Sequence, residues 1–293
     1  MQSSGKPSER QPAEIIAPDM TMVETGDGSY TLYLSEYDEH MHSLSGAYEE
    51  ALLKHVYPSG IVLSKKKSLT VLDVGFGLGY NTLALIAELT RNDFKGRCAV
   101  YALERERFLT PVMDALVFHD MRDSIYSMLK SAYLHGTSQT DAVTVTVLHG
   151  DARESVRTLC NQAFDAVFFD PFSPSRNPEL WSVEFFIELY RLMSNTGVLT
   201  TYSCAPQARM AMIEAGFIVG SGPSVGGKRE GTLAAKTGVI TPLAPGDMNA
   251  LRNNAHSVPY RDSGLSGNRA SILERRREEI RSIKATERLN KQQ

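Results

Sequence analysis

Short apolar runs alternate with helical patterns through the middle of the 293-residue chain. The apolar runs are continuous, as in strands that are buried on both faces of a sheet. Strands of this kind are predicted at 69–75, 98–104, 142–151, 164–170 and 197–203, with two more at 217–222 and 231–236. Strands that alternate with helices indicate a parallel sheet with helices on both faces. We therefore expect an α/β fold with a mostly parallel, seven-stranded sheet.

The helices between these strands follow apolar residues at helical spacing. They are predicted at 80–89, 109–119, 122–135, 181–193 and 208–215. Residues 19–60 precede the alternating region as an extension: a Gly-Asp-Gly turn at 26–28 predicts a hairpin over 23–34, and the apolar spacing at 44–56 predicts a helix. Residues 1–18 are rich in Ser, Pro and charge, which predicts disorder. The main domain is expected at 61–240, followed by a linker and a charged helical tail at 241–293.

Composition narrows the class of protein. With 42% hydrophobic residues, the chain can bury a large core without disulfides or metals. No apolar run approaches the ~18 residues of a membrane span, and the polar N-terminus does not resemble a signal peptide. Three widely spaced cysteines form neither a disulfide framework nor a zinc motif, and His40 and His42 lack further metal-ligand partners. We expect a cytoplasmic protein without a membrane or metal partner, and we favour a monomer.

A glycine-rich turn joins the first strand to the first helix of the α/β region. Its sequence is Leu-Asp-Val-Gly-Phe-Gly-Leu-Gly-Tyr-Asn at 72–81, with glycines at 75, 77 and 79. Glycines allow a ligand to approach the backbone, and the following helix N-terminus presents free N–H groups. The spacing G-x-G-x-G differs from the dinucleotide fingerprint G-x-G-x-x-G. Together with Asp73, it resembles motif I of S-adenosylmethionine (AdoMet) methyltransferases.

Three more acidic residues stand at the ends of later strands. Glu104 ends the second strand, Asp151 the third and Asp170 the fourth. In open α/β sheets, ligands bind outside the carboxyl ends of the strands, where a carboxylate can accept hydrogen bonds from ribose hydroxyls. The three acids and Asp73 are therefore expected to line one crevice. In the methyltransferase pattern, Asp151 meets the adenine amino group and the backbone of Ala152 meets a ring nitrogen.

The loop after the fourth strand reads Asp170-Pro171-Phe172-Ser173-Pro174. It resembles the Asp-Pro-Pro-aromatic loop of amino-group methyltransferases, in which oxygen acceptors orient the target amine. A primary amine is mostly protonated at pH 7 and must lose a proton before it attacks a methyl group, so Asp170 can orient the amine or accept the proton. Phe172 can stack on a base or shape the amine pocket, although it can equally belong to the core.

A longer set of motifs carries a family resemblance. The segments Asp-Pro-Phe-Ser-Pro-Ser-Arg-Asn-Pro-Glu-Leu-Trp at 170–181, Ala-Gly-Phe at 215–217 and Gly-Lys-Arg-Glu at 227–230 resemble the methyltransferase domain of the MnmC family. That family takes part in tRNA 5-methylaminomethyl-2-thiouridine biosynthesis. The resemblance covers about residues 25–235 and includes the 258–265 segment. Pro171 and Ser173 replace the family's glycine and alanine.

The resemblance implies a Rossmann-like class I AdoMet-dependent methyltransferase fold and a reaction. The enzyme would methylate the amino group of 5-aminomethyl(-2-thio)uridine at position 34 of tRNA, without the FAD-dependent oxidase domain of the bifunctional members. Asp170 and Phe172 would lie at the target amine, and Lys228, Arg229 and Glu230 beside the tRNA. The expected cofactor contacts are Asp73, Gly75, Phe76, Gly77, Gly79, Asn81, Glu104, Asp151 and Ala152.

Two other functions compete with this one. A spermidine-synthase-type aminopropyltransferase, or a small-amine N-methyltransferase, has the same fold and a similar acid after the fourth strand. A non-catalytic nucleotide- or RNA-binding module is the second alternative. The net charge of −3 gives no support for RNA binding. The local basic candidates are 65–67, 228–229 and the tail, where eight Lys and Arg residues face four Glu within 269–293.

Overall fold

The structure is a computed structural model that describes residues 14–17, 19–159, 163–224 and 230–290. Its N-terminal part is a four-stranded antiparallel sheet. The strands are β1 (Glu14–Ala17), β2 (Met20–Glu24), β3 (Tyr30–Leu34) and β4 (Glu39–His40). Strands β2 and β3 form the predicted hairpin. The prediction of disorder is wrong for Glu14–Ala17, while residues 1–13 and 18 lie outside the described part of the chain.

A helix with an unusual second half follows this sheet. Helix α1 (Ala47–Glu50) passes directly into a π-helical segment at Ala51–Val56. Consecutive side chains in that segment, Lys54 and His55, are both buried, with 2% and 0% exposure. A π-helix is rare and occurs mostly as a short insertion, often at functional sites. The predicted helix at 44–56 is therefore confirmed from Ala47 onward.

The central sheet has eight strands in the order β11-β12-β10-β9-β5-β6-β8-β7. The strands β10, β9, β5, β6 and β8 run parallel, whereas β12 and β7 pair antiparallel with their neighbours. The bounds are β5 (Ser68–Val74), β6 (Arg97–Glu104), β7 (Thr137–Gln139), β8 (Val143–His149), β9 (Phe164–Phe169), β10 (Met193–Thr201), β11 (Ile218–Ser221) and β12 (Thr232–Ala235). The predicted α/β class is confirmed. The eighth strand, β7, is a polar edge strand with no apolar pattern to predict it.

Helices cover both faces of the central sheet. They are α2 (Tyr80–Arg91), α3 (Thr110–Ala115), α4 (Arg122–His135), α5 (Ala152–Thr158), α6 (Val183–Leu192) and α7 (Pro206–Glu214). One core packs α2, α4 and the N-terminal sheet on one face, and a second packs α6 and α7 on the other. Helix α3 is shorter than the predicted 109–119, because the backbone turns to the extended conformation at Leu116.

The C-terminal region packs on the second core. It contains α8 (Pro245–Arg252), a 3-10 turn at Ala255–Ser257 and α9 (Arg269–Asn290), the predicted charged helix. The segment predicted as a linker is thus structured, and the backbone N–H of Val183 donates to the carbonyl of Tyr260 at 3.0 Å. Within the described ranges, no helix has the length and apolar character needed to cross a bilayer.

Candidate functional site

A cavity opens at the carboxyl ends of β5, β6, β8 and β9. Strand β5 lies between β6 and β9, and the chain continues from β5 to β6 on one side and from β9 to β10 on the other, so the order of the strands reverses between β5 and β9. Such a switch point is where open α/β sheets bind their ligands. The predicted site residues that line the cavity are Gly75, Gly77, Glu104, Asp151, Ala152, Asp170 and Phe172. The structure therefore brings together half of the set that the sequence predicted.

The glycine turn brings the backbone of β5 close to that of β9. A Cβ atom on Gly75 would lie 2.7 Å from the carbonyl oxygen of Asp170, and the φ of Gly75 is +85°. Both observations require glycine at this position. Gly77 also has a positive φ, +53°, and its N–H donates to Oε2 of Glu104 at 2.6 Å. The turn thus places the backbone of Gly75 and Gly77 on the wall of the cavity, without side chains.

Glu104 is a buried carboxylate held by the backbone. It accepts hydrogen bonds from the N–H groups of Gly77 and Glu106, at 2.6 and 2.7 Å. Burial raises the pKa of Glu104 to about 7, although these two hydrogen bonds oppose the shift. Because a carboxylate has about four acceptor positions, both oxygens keep capacity for a ligand hydroxyl. This is the chemistry expected of a ribose-binding acid.

Asp151 caps the N-terminus of α5 and is held by an arginine. Its side chain accepts from the backbone N–H of Arg153 at 2.9 Å, and the Arg153 guanidinium binds the same carboxylate at 2.7 Å. Burial opposes ionisation, yet the hydrogen bonds from Arg153 hold the pKa of Asp151 below its usual value. Arg153 also pairs with Asp262 at 2.8 Å, so the C-terminal region supports this side of the cavity.

Asp170 lies at the bottom of the cavity between two fixed side chains. Nδ2 of Asn81 donates to Oδ2 of Asp170 at 3.0 Å. Nε2 of His55 lies 3.6 Å from Oδ1. The Asp170 side chain is only 11% exposed. Asn81 and His55 therefore hold the carboxylate in place. Its remaining acceptor positions are available to a ligand in the cavity.

The loop after Asp170 is fixed by three contacts to its backbone. Nε1 of Trp181 donates to the carbonyl of Phe172 at 2.8 Å, and the hydroxyl of Tyr202 donates to that of Pro171 at 3.0 Å. Glu39 of the N-terminal sheet accepts from the N–H of Ser173 at 3.0 Å. The buried Trp181 side chain therefore helps to hold this loop in place.

The N-terminal extension supplies a wall of the cavity that sequence reasoning missed. Tyr37, Met41 and His42 line it. The ring of Tyr37 stacks on Phe172 with 3.9 Å between centroids and an interplanar angle of 13°. Arg105 lies over the other side of this pair, 5.3 Å from the Tyr37 centroid. Phe172 thus belongs to the cavity wall and is also packed against an aromatic partner.

Four predicted cofactor contacts lie behind the wall. They are Asp73, Phe76, Gly79 and Asn81. Asp73 is fully buried and accepts from the hydroxyl of Thr82 at 2.6 Å, and burial raises its pKa to about 7. Gly79 begins α2 in the left-handed conformation, and the Phe76 ring packs against it. These residues shape the turn, and none of them lines the cavity.

The predicted basic loop is only partly within the described residues. Lys228 and Arg229 lie outside the described residues. Glu230 pairs with Arg209 at 2.8 Å and is not part of the cavity wall. The lysines at 65–67 precede β5, so they lie at the amino-end edge of the sheet, opposite the cavity, where Lys66 pairs with Asp165.

The histidines differ from one another in their positions. His55 is fully buried against Asp170, and it was missed, although a polar residue within the apolar stripe of the helix predicted at 44–56 was a signal. Burial lowers the pKa of His42, on the cavity wall, to about 4. In the part of the chain that the structure describes, no three His, Cys, Asp or Glu side chains form a group that could hold a metal.

Comparisons with known proteins identify relatives over most of the chain. A family model described as S-adenosyl-L-methionine-dependent methyltransferase matches residues 116–237. The crystal structure of MnmC2 from Aquifex aeolicus superposes with a TM-score of 0.81 at 30% identity, and covers 92% of this chain and 88% of that one. An uncharacterized protein of Methanocaldococcus jannaschii is 34% identical over 269 residues, which are 90% of this chain and 73% of the relative.

Longer relatives match over the same region. The tRNA 5-methylaminomethyl-2-thiouridine biosynthesis bifunctional protein MnmC of Ralstonia nicotianae is 34% identical over 220 residues. The match covers 70% of this chain and 33% of the bifunctional protein. The chain therefore spans about a third of the length of this relative.

Proposed function

The chain belongs to the MnmC2 family of S-adenosyl-L-methionine-dependent methyltransferases, and from that premise we propose that it methylates the amino group of 5-aminomethyl(-2-thio)uridine at the tRNA wobble position, 34. The observation that carries the proposal is the placement of Asp170. Its carboxylate is fixed by Asn81 and faces a cavity whose floor is the glycine turn. The names of the relatives support tRNA as the substrate.

The cavity offers bare backbone and carboxylate acceptors to the cofactor. Gly75 and Gly77 line it without side chains, and a Cβ at Gly75 would collide with the Asp170 carbonyl. Glu104 would accept from the ribose hydroxyls, and Asp151 from the adenine amino group, with Ala152 beside it on the wall. When bound, the cofactor supplies an electrophilic methyl group on a sulfonium. The protein then has to supply position and a place for a proton.

Asp170 would accept the proton that the substrate amine must lose. The substrate amine arrives as an ammonium ion, which has no lone pair for attack. Its N–H groups would donate to the Asp170 carboxylate, and loss of one proton to that carboxylate frees the lone pair. Because Asn81 already occupies one acceptor position on Oδ2, the carboxylate cannot rotate freely. The amine would thus be held in one orientation, with the Phe172–Tyr37 pair beside it.

The cavity lining includes four arginines beside its acidic residues. They are Arg105, Arg153, Arg176 and Arg269, of which the first three pair with carboxylates. Arg269 begins α9, so this end of the charged tail reaches the site. Phosphates are bound mainly by Arg and Lys, which position a nucleic acid without reading its sequence. We propose that these arginines and α9 contact the anticodon arm.

The test uses AdoMet with a labelled methyl group and tRNA from cells that accumulate 5-aminomethyluridine. We expect label in 5-methylaminomethyl-type uridine, identified by the mass of the isolated nucleoside. Asp170→Asn keeps the size of the side chain but cannot accept a proton, and we expect it to lose at least 100-fold in rate.

The matched control is Asp165→Asn, at the start of the same strand and far from the cavity end. It should retain the wild-type rate. If AdoMet binds but tRNA stays unlabelled, the wobble-uridine proposal fails. The same assay with small diamines then tests the amine-transferase alternative.

A further inference from the structure

The π-helical segment places one imidazole directly behind Asp170. In Ala51–Val56, the wider turn directs the consecutive side chains of Lys54 and His55 into the protein. Nζ of Lys54 donates to the carbonyl of Pro223, after β11, at 2.5 Å. His55 lies against Asp170, after β9. His55 is buried in a π-helical segment, a rare helix type that often occurs at functional sites, and it lies beside Asp170. We therefore looked for a role of His55 in the reaction.

The two ring nitrogens of His55 have different surroundings. Nδ1 lies 3.1 Å from Oγ1 of Thr200 on β10. Nε2 has no hydrogen-bond partner at normal distance, is buried, and lies 3.6 Å from Oδ1 of Asp170. A neutral ring that donates through Nδ1 to Thr200 keeps its Nε2 lone pair toward Asp170. The ring packs edge-on against Phe168, which holds its plane.

The charges around His55 favour a proton on the ring. The titratable groups that face it are Asp170, Asp73 of β5, Glu50 of α1 and His42 beyond β4. Burial acts to lower the pKa of His55, but the Asp170 carboxylate, together with Asp73 and Glu50, raises it above the usual value. Since His55 is fully buried, a proton can reach it from the cavity through Asp170.

We propose that His55 is a positioning residue and second proton acceptor, which takes from Asp170 the proton that the substrate ammonium releases. The ammonium gives one proton to the Asp170 carboxylate, and Oδ1 passes a proton to Nε2 of His55. The carboxylate is thereby ionised again. The free amine forms its bond to the methyl carbon while the sulfur–carbon bond breaks and its electron pair stays on sulfur. The product leaves as a secondary ammonium, and His55 returns its proton through Asp170 to water.

This inference rests on the proposed function, and its first test is a pH profile. We expect His55→Gln to reduce methyl transfer at pH 7 by 10- to 100-fold and by less than about threefold at pH 9.5, where more of the amine is already free. Affinity for AdoMet should be unchanged. His135→Gln, at an exposed histidine on α4, is the control and should follow the wild type at both pH values. An equal loss at pH 7 and 9.5 would show a merely structural role and overturn the inference.

A second test needs no substrate. Of the seven histidines, the His55 signal is identified in ¹⁵N imidazole spectra by its absence from His55→Gln or His55→Asn. We expect a His55 pKa above 6.5 in the wild type and a fall of about one unit or more in Asp170→Asn. An unchanged titration would overturn the coupling. If the wild type does not methylate tRNA at any pH, the proposed function fails, while this titration still decides whether the pair is coupled.

Discussion

The side-chain amide of Asn81, in the first turn of α2, donates to Oδ2 of Asp170 at the end of β9, at 3.0 Å. The contact joins the helix after the glycine turn to the strand end that carries Asp170. Asn81 is itself 2% exposed, so the hydrogen bond is shielded from water. The glycine-turn helix and the proposed amine acceptor are therefore directly connected.

The first prediction concerns this hydrogen bond. Asn81→Ala leaves Asp170 with one fewer donor and more freedom to rotate. A hydrogen bond to a charged group is worth about 1.5–3 kcal/mol, so we expect the turnover rate to fall by roughly 10- to 100-fold. Affinity for AdoMet should change little, because Asn81 lies behind the cavity wall. Single-turnover methyl transfer and calorimetry measure the two quantities.

The control for Asn81 lies at the other end of the same helix. Asn92 donates to the carbonyl of Glu88 at 2.8 Å, and Asn92→Ala should retain wild-type turnover. Weakened AdoMet binding with unchanged turnover in Asn81→Ala would instead support the contact with the cofactor that the sequence predicted.

The sequence was a good guide where a site residue follows directly from a strand end. Gly75, Glu104, Asp151 and Asp170 all end or follow predicted parallel strands, and parallel strands bring their carboxyl ends to one edge. The G-x-G-x-G pattern specified where the backbone must approach a neighbour. It could not specify which flanking side chains face the cavity, so Phe76 and Asn81 are predicted as cofactor contacts although neither lines the cavity.

Long-range packing determined what the sequence could not predict. Tyr37 and His55 reach the site from the N-terminal extension, more than 100 residues before Asp170. No local pattern encodes which part of a sheet such an extension will cover. Likewise, the Pro- and Gly-rich composition of 241–267 indicated a linker, but Asp262 is buried there by its pairing with Arg153.

The second prediction concerns the close approach at Gly75. Gly75→Ala would place a Cβ 2.7 Å from the Asp170 carbonyl in a backbone conformation with φ +85°. We expect loss of AdoMet binding and a drop in unfolding free energy larger than the ~1–2 kcal/mol that the left-handed conformation alone costs. Gly136→Ala separates these two effects, because Gly136 has φ +86° with nothing within 4 Å of its Cβ position.

For Gly136→Ala we expect only the conformational cost and unchanged AdoMet affinity. Urea denaturation and calorimetry measure both variants. Equal destabilisation of the two proteins, with binding intact in Gly75→Ala, would contradict the idea that the approach of the two backbones shapes the floor.

The third prediction is the pH dependence of cofactor affinity. The pKa of Glu104 is about 7, and ribose hydroxyls donate best to its ionised form. Affinity for AdoMet is therefore present above that pKa and is lost as pH falls through it. For a single group with this pKa, we expect Kd to be about tenfold higher at pH 6 than at pH 8. Calorimetric titration across this range measures the slope.

Two variants test which carboxylate causes the pH dependence of AdoMet affinity. Glu104→Gln should abolish the pH dependence, because the amide does not titrate. Asp151 has a pKa below its usual value and is ionised throughout this range, so Asp151→Asn should weaken binding equally at both pH values. A slope that persists in Glu104→Gln would assign the titration to another group.

The last prediction tests whether the C-terminal region is part of the catalytic unit. Arg153 and Asp262 are 12% and 4% exposed, and their ion pair, at 2.8 Å, joins α5 to the segment before α9. Without Asp262, Arg153 keeps its pair with Asp151, but the N–H groups of Ser266 and Gly267 lose their acceptor, at a cost of about 1–3 kcal/mol for each buried group left unsatisfied. Asp262→Ala should therefore lower the unfolding free energy by roughly 3 kcal/mol in urea denaturation. Asp114→Ala, which removes the exposed pair with Lys130, should have no measurable effect. Because Asp262 also holds the arginine that binds Asp151, AdoMet affinity should fall as well. A stability within error of the wild type would mean that residues 258–267 are the loosely attached linker that their composition suggested.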